Sequence, residues 1–119
     1  WSKLGGECAI QMISDHLILR CSFTRRPYKF SRAFVDVYKS YLYVDEIAPL
    51  ILKLIAKECE GIYNVCGKTT TAYDFAKRSN PEVGKIRHVD VAGWIPDRCA
   101  MSNTKLIKAK KEWLKEEKI

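Results

Sequence analysis

The residues best suited to chemistry in this 119-residue sequence are cations rather than nucleophiles. Arg25, Arg26, Lys29 and Arg32 crowd one short stretch and interleave with Tyr28 and Phe30. A guanidinium pairs with phosphate oxygens through two parallel hydrogen bonds, so the stretch suits an anionic ligand such as a diphosphate. The other reactive types are dispersed. His16 and His88 have no second ligand at metal-binding spacing, and the five cysteines (Cys8, Cys21, Cys59, Cys66, Cys99) never form Cys-x-x-Cys. No metal is expected. Reduced thiols are, with Cys8 and Cys21 acting as small hydrophobes in apolar patterns. No Ser/His/Asp or Cys/His arrangement can be assembled, and no paired carboxylates stand out. Asp45-Glu46 reads as a helix cap with favourable charge on the helix dipole. No Gly-rich loop follows a strand, so the sequence holds no dinucleotide fingerprint.

The elements that must position these residues follow an α-β-loop-β-β-α-β-α-β-α order, an α/β pattern. Leu4, Cys8, Met12 and Ile13 recur at helical spacing, Ser14-Asp15 breaks the run, and Leu17-Ile18-Leu19 follows with no polar alternation. A helix feeding an apolar strand is one unit of a parallel sheet, and such a strand needs neighbours on both sides. The chain is therefore expected to be the back part of something larger, with apolar surface that calls for a partner.

Thr24 to Arg32 reads as a loop, with Pro27 holding Arg26 extended. Ala33 to Val44 predicts two short strands broken near Lys39-Ser40. Asp45 is expected to cap a helix whose stripe is Ile47, Leu50, Ile51, Leu54 and Ile55, with Pro49 at the edge of its first turn. Ile62 to Cys66 predicts a strand, and Thr69 to Thr71 caps a helix over Ala72 to Arg78, stopped by Asn80-Pro81. A strand is expected over Ile86 to Val91. A final helix starts after Ser102 or Asn103 and runs, with a break allowed, to the chain end.

The composition is that of a globular protein, 47% apolar and 11% aromatic with a net charge of +7. No apolar run reaches the ~18 residues of a membrane span and no signal peptide opens the chain, so a soluble cytoplasmic protein without a membrane partner is the expectation. Much of the charge excess (Lys105, Lys108, Lys110, Lys111, Lys115, Lys118) is mixed with Glu112, Glu116 and Glu117 on the final helix. That is a solvated face first and a nucleic-acid surface only as the alternative.

Four stretches in series resemble the extended short-chain dehydrogenases/reductases. Ser2 to Glu7, a helix and then Leu17 to Ser22 are similar to the segment just after that family's catalytic Tyr-x-x-x-Lys. Tyr41-Leu42-Tyr43-Val44-Asp45-Glu46-Ile47-Ala48 resembles its strand-to-helix signature. Gly61 to Gly67 with Thr71 to Ala76 resembles its next strand and helix, and Pro96 to Leu106 its region near the carboxyl end. The matches keep family order and cover nearly the whole chain. Within the family they look closest to the nucleotide-sugar branch, the dTDP-4-dehydrorhamnose reductase type.

The resemblance implies the C-terminal part of a Rossmann-like enzyme, with residues 1–22 ending the Rossmann-type domain and residues 23–119 forming mainly the substrate-binding region. It implies NAD or NADP as cofactor, a nucleotide-sugar substrate, and hydride transfer at a 4-keto sugar. Epimerase or dehydratase chemistry and a noncatalytic interaction subunit are the alternatives. Lys3 falls on the family lysine, which lowers the tyrosine's pKa and holds the nicotinamide ribose; that tyrosine would lie two residues before Trp1. An exposed lysine with no such task is the alternative for Lys3. Implied substrate contacts are Ser22, Phe23, Arg25, Arg26, Arg32 and Arg98, with Tyr28 or Phe30 stacking on the base; for each arginine alone a solvated role stands beside this one. The missing Rossmann half, or a second copy, is the implied partner.

Overall fold

In a computed structural model, residues 1–91 and 93–117 are described. Ser2–Ile10 forms helix α1, and Leu17–Cys21 forms strand β1. Four short strands and a long helix follow: β2 (Phe23–Thr24), β3 (Arg32–Phe34), β4 (Tyr38–Lys39), β5 (Leu42–Tyr43) and α2 (Val44–Ala56). The remainder is β6 (Gly61–Val65), β7 (Thr70–Thr71), α3 (Ala72–Lys77), β8 (Gly84–Ile86), a single 3-10 turn at His88–Asp90, and α4 (Thr104–Glu117). The α/β reading holds. Among the described residues no helix is long and apolar enough to cross a membrane.

β1 and β6 pair in parallel, Leu17 opposite Gly61 through Cys21 opposite Val65, with α2 in the connection between them. That is the crossover a parallel pair requires. Leu17, Leu19 and Cys21 of β1 alternate onto one face with Tyr63 and Val65 of β6. There they pack with Ile47, Leu50, Ile51 and Leu54 of α2 and with Leu106, Ala109 and Trp113 of α4. On the other face Arg20 reaches Glu7 of α1, its guanidinium meeting both carboxylate oxygens at 2.7–3.2 Å. Two further parallel ladders, β2–β5 and β3–β8, and the antiparallel β4–β7 complete the pairing. α3 packs on β3 through Ala76 and Ala33, with Val83 ahead of β8 in the same cluster and Tyr28 and Tyr73 at its edges.

Several expectations are corrected. α2 begins at Val44, one residue ahead of the expected cap, because Glu46 reaches back and accepts from the Tyr43 N–H at 3.1 Å. Pro49 consequently lies inside the helix rather than at its first turn, and Ile55 falls off the buried stripe and is exposed. The stretch 33–44 holds parts of three strands, not two. The strand expected over Ile86 to Val91 ends at Ile86, because the Asp36 carboxylate takes both the His88 N–H (2.9 Å) and the His88 ring Nδ1 (2.6 Å) and curls the chain into the 3-10 turn. Cys8 is exposed rather than packed, since no described element covers the apolar positions of α1: Trp1, Leu4 and Ile10 are exposed with it, as are Met12 and Ile13 just beyond. α4 is unbroken to Glu117; the expected run to the end, Lys118 included, passes outside the described residues. Two of its glutamates pair with α2 lysines, Glu117 with Lys53 at 2.5 Å and Glu116 with Lys57 at 2.7 Å.

Candidate functional site

Parallel strands collect ligands beyond their carboxyl ends, and here β1 and β6 both end on the same edge. Ser22 follows β1 half-buried, its carbonyl accepting from the Leu42 N–H at 3.0 Å, and Phe23 beside it is 56% exposed. Cys66 and Gly67 follow β6. The Gly67 N–H donates to the buried Ser40 carbonyl at 3.0 Å, and the Ser40 hydroxyl accepts from the Met101 N–H at 2.9 Å. Burial pushes the Cys21 and Cys66 thiols up, which keeps them protonated and suits structural rather than nucleophilic cysteines. The opposite edge holds a hollow of about 550 Å³ near His16, but Asp15, Glu58 and Glu60 line it, which is the wrong charge for a phosphate ester.

From β2 the chain runs into the basic loop. Phe23, Thr24, Arg25, Arg26, Pro27 and Lys29 line an open hollow of about 420 Å³ with no acid in its wall. Arg25 is exposed and has no carboxylate partner among the described residues. Arg26 is engaged instead: its Nε donates to Asp45 at 2.8 Å, Glu46 lies at 3.7 Å, and its guanidinium carbon stands 4.0 Å from the centre of the Tyr43 ring. The Lys29 ammonium sits 4.9 Å over Phe30, and Tyr28 meets Phe30 edge to face at 5.7 Å. Those two rings share a cleft of about 360 Å³ with Arg32, Phe34 and Ile86.

The carboxylates that hold these arginines were readable only as a cap. The Arg26 hydrogen bond holds the Asp45 carboxyl below its ordinary range. For Glu46 burial pushes upward, but the Arg78 hydrogen bond at 2.9 Å, the Tyr43 N–H and the charges of Arg78 and Arg26 outweigh it, and the net direction is down. Tyr43, buried completely, stacks on Phe75 at 4.3 Å and gives its hydroxyl to the Phe75 carbonyl at 2.8 Å. Sequence reading missed this cluster because Arg26, Glu46, Phe75 and Arg78 lie far apart along the chain.

The remaining expected residues are placed separately. Arg98 forms an isolated parallel bridge with Tyr38, its guanidinium 5.3 Å from that ring. Lys3 is exposed in the first turn of α1, and no carboxylate pairs with it among the described residues. The structure thus brings Phe23, Arg25 and Arg26 to one hollow and Arg32 to a separate cleft, while Arg98 lies beside β4 and Lys3 is in α1. Asp36 gives His88 a partner the sequence did not suggest, yet no cluster of metal-ligating side chains occurs among the described residues.

No protein-family model matches the sequence, and no curated protein does. Solved structures do. A hypothetical dTDP-4-dehydrorhamnose reductase from Sulfolobus tokodaii superposes with a TM-score of 0.66 at 24% identity, over 90% of this chain and 46% of the other. The dTDP-4-dehydrorhamnose reductase of Bacillus anthracis, solved in complex with NADP, superposes with a TM-score of 0.68 at 19% identity, over 91% and 47%. The chain shares its fold with part of the dTDP-4-dehydrorhamnose reductases. It spans slightly less than half the length of either enzyme. At these identities the likeness is one of fold, and it agrees with the family that the four sequence stretches resemble.

Proposed function

We propose that this chain is the substrate-side part of an NAD(P)-dependent reductase acting on a nucleotide-linked 4-keto sugar. The observation that supports the reading best is the superposition of nine-tenths of the chain on two dTDP-4-dehydrorhamnose reductases, in agreement with the order of its four sequence stretches. In this reading residues 1–22 close a Rossmann-type domain and residues 23–119 carry mainly substrate contacts. The exposed apolar side of α1 and the unpaired edge of β1 are covered by the rest of that domain or by a second copy.

The roles follow from position and charge. Lys3, exposed and without a carboxylate partner among the described residues, suits an ammonium that lowers the pKa of a tyrosine four residues earlier and hydrogen-bonds the ribose of the nicotinamide. A bound nicotinamide would supply the hydride. The sequence contains no Gly-rich phosphate loop, so Lys3 is the contribution assigned to this chain on the cofactor side. Arg25 and Lys29, at the hollow beyond β2, meet the substrate diphosphate, and Arg32 meets a phosphate from the aromatic cleft, where Phe30 and Tyr28 offer ring faces for the base. Phe23 bounds the hollow nearest the strand end, Ser22 is assigned a contact from the end of β1 just before it, and Arg98 a peripheral contact.

The test is a binding series on the full chain. dTDP, UDP, GDP and CDP are titrated by calorimetry, with Arg25→Gln and Arg32→Gln variants beside the parent. Micromolar to millimolar binding that weakens about tenfold in each variant supports the reading. Equal affinity in parent and variants removes these arginines from the site.

A further inference from the structure

Arg26 belongs to the loop just assigned to the diphosphate, yet its guanidinium is already held. One nitrogen donates to Asp45, Glu46 stands behind it, and the planar group lies over Tyr43. Phe75 stacks on the same ring at 21° with centroids 4.3 Å apart, and the Arg78 guanidinium stands farther off at 5.3 Å, so Arg26 at 4.0 Å is the closer of the two cations on Tyr43. Two residues on, the Tyr28 N–H donates to the Ser79 hydroxyl at 3.0 Å, and that hydroxyl is 2.6 Å from the Tyr43 hydroxyl. The segment Arg26-Pro27-Tyr28 is thus held at both ends, Arg26 on the Tyr43 ring directly and Tyr28 through Ser79, which meets the Tyr43 hydroxyl. Arg25 and Lys29 flank it, and neither has a carboxylate partner among the described residues.

We propose that Arg26 is a positioning residue: clamped on Tyr43 and Asp45, it fixes the 26–28 segment so that Arg25 and Lys29 are presented together to a diphosphate that Arg26 does not touch. The proposal rests on the substrate reading above and deepens it. Moving Arg26 onto a phosphate would strip the Tyr43 face and leave Asp45 without its donor, both at a cost the substrate would have to offset. Left in place, the clamp removes loop freedom before binding, and less ordering remains to be done when the anion arrives.

Asp45→Asn separates the possibilities by sign. Removing a carboxylate close to an anion site strengthens anion binding by relieving Coulomb repulsion, and more so if it releases a substrate-binding arginine. The clamp requires the reverse. With inorganic pyrophosphate and dTDP titrated into the full chain at one fixed low salt, Asp45→Asn is expected to bind roughly tenfold more weakly, as one lost ordering interaction would give. Arg26→Lys, which keeps the charge but not the planar group that lies over Tyr43, should weaken binding as much, and unchanged binding by Arg26→Lys overturns the clamp. The double variant Arg26→Gln with Asp45→Asn should be no weaker than either single change, because one clamp is broken once. Circular dichroism melts establish that each variant is folded. Tighter binding by Asp45→Asn overturns the positioning role while leaving the substrate reading in place. No binding of pyrophosphate or dTDP by the parent chain overturns the substrate reading, and the proposal with it.

Discussion

Gly67 approaches the backbone of Tyr41 so closely that a Cβ at position 67 would lie 2.8 Å from the Tyr41 carbonyl oxygen. The contact joins the carboxyl end of β6 to the entry of β5, and therefore to the start of α2. The Leu42 side chain crowds the same point at 3.2 Å and can yield by rotation, but the Tyr41 carbonyl can give only by moving backbone. Gly67→Ala should lose about 1–3 kcal/mol by overpacking. For a chain of this size that lowers the thermal midpoint by roughly 4 °C per kcal/mol. An unchanged midpoint would mean that the Tyr41 segment shifts freely.

The Tyr43 hydroxyl serves a backbone carbonyl and a serine inside the protein. Tyr43→Phe leaves those groups without their partner, at about 1–3 kcal/mol. The loss should appear in urea denaturation as a lower midpoint at constant slope. It should also speed hydrogen exchange at the Tyr28 amide, whose acceptor is Ser79. Faster exchange everywhere except at Tyr28 would contradict the link between the tyrosine and the loop.

Acid should attack the α2 entry. The carboxyls of Asp45 and Glu46 are held below their ordinary values in the folded chain. Their contribution is therefore complete above the unfolded values, about pH 4, and is lost as pH falls through the lower folded ones. The melting temperature should be level above about pH 5 and fall below about pH 4. Glu46→Gln should flatten that fall, having no proton to take up. Identical acid limbs in parent and variant would show that other carboxylates govern it.

Trp113 anchors α4 on the β1–β6 face with Leu106 and Ala109. Trp113→Ala should cost about 3–5 kcal/mol, whereas Lys111→Ala, on the exposed side, should change little. Equal effects would mean that α4 is not packed as described.

The long elements were legible because each carries its own period. α2 repeats apolar residues at helical spacing over three turns, and Leu17 to Leu19 and Ile62 to Val65 are bounded by turn residues. Strands of two or three residues, such as β4 and β7, have no period to read and exist through their partners. Ile86 to Val91 carries the β-branched residues of a strand (Ile86, Val89, Val91), but Asp36, fifty-two positions from His88, bends it. The loop's basic chemistry was visible in composition. That Arg26 turns inward was not, because the carboxylate that holds it is nineteen residues distant.

Hydride transfer to a nucleotide-linked sugar is tested most directly on the protein translated from the complete reading frame. Oxidation of NADH and NADPH is followed at 340 nm with dTDP-, UDP-, GDP- and CDP-4-keto sugars, for the parent and for Lys3→Met. Cofactor oxidation dependent on one of these sugars is expected, with a loss of about 10²- to 10⁴-fold in kcat on replacing Lys3, the range of a removed acid/base assistant. Turnover undiminished in Lys3→Met, or no oxidation with any of the four, would contradict the reductase reading.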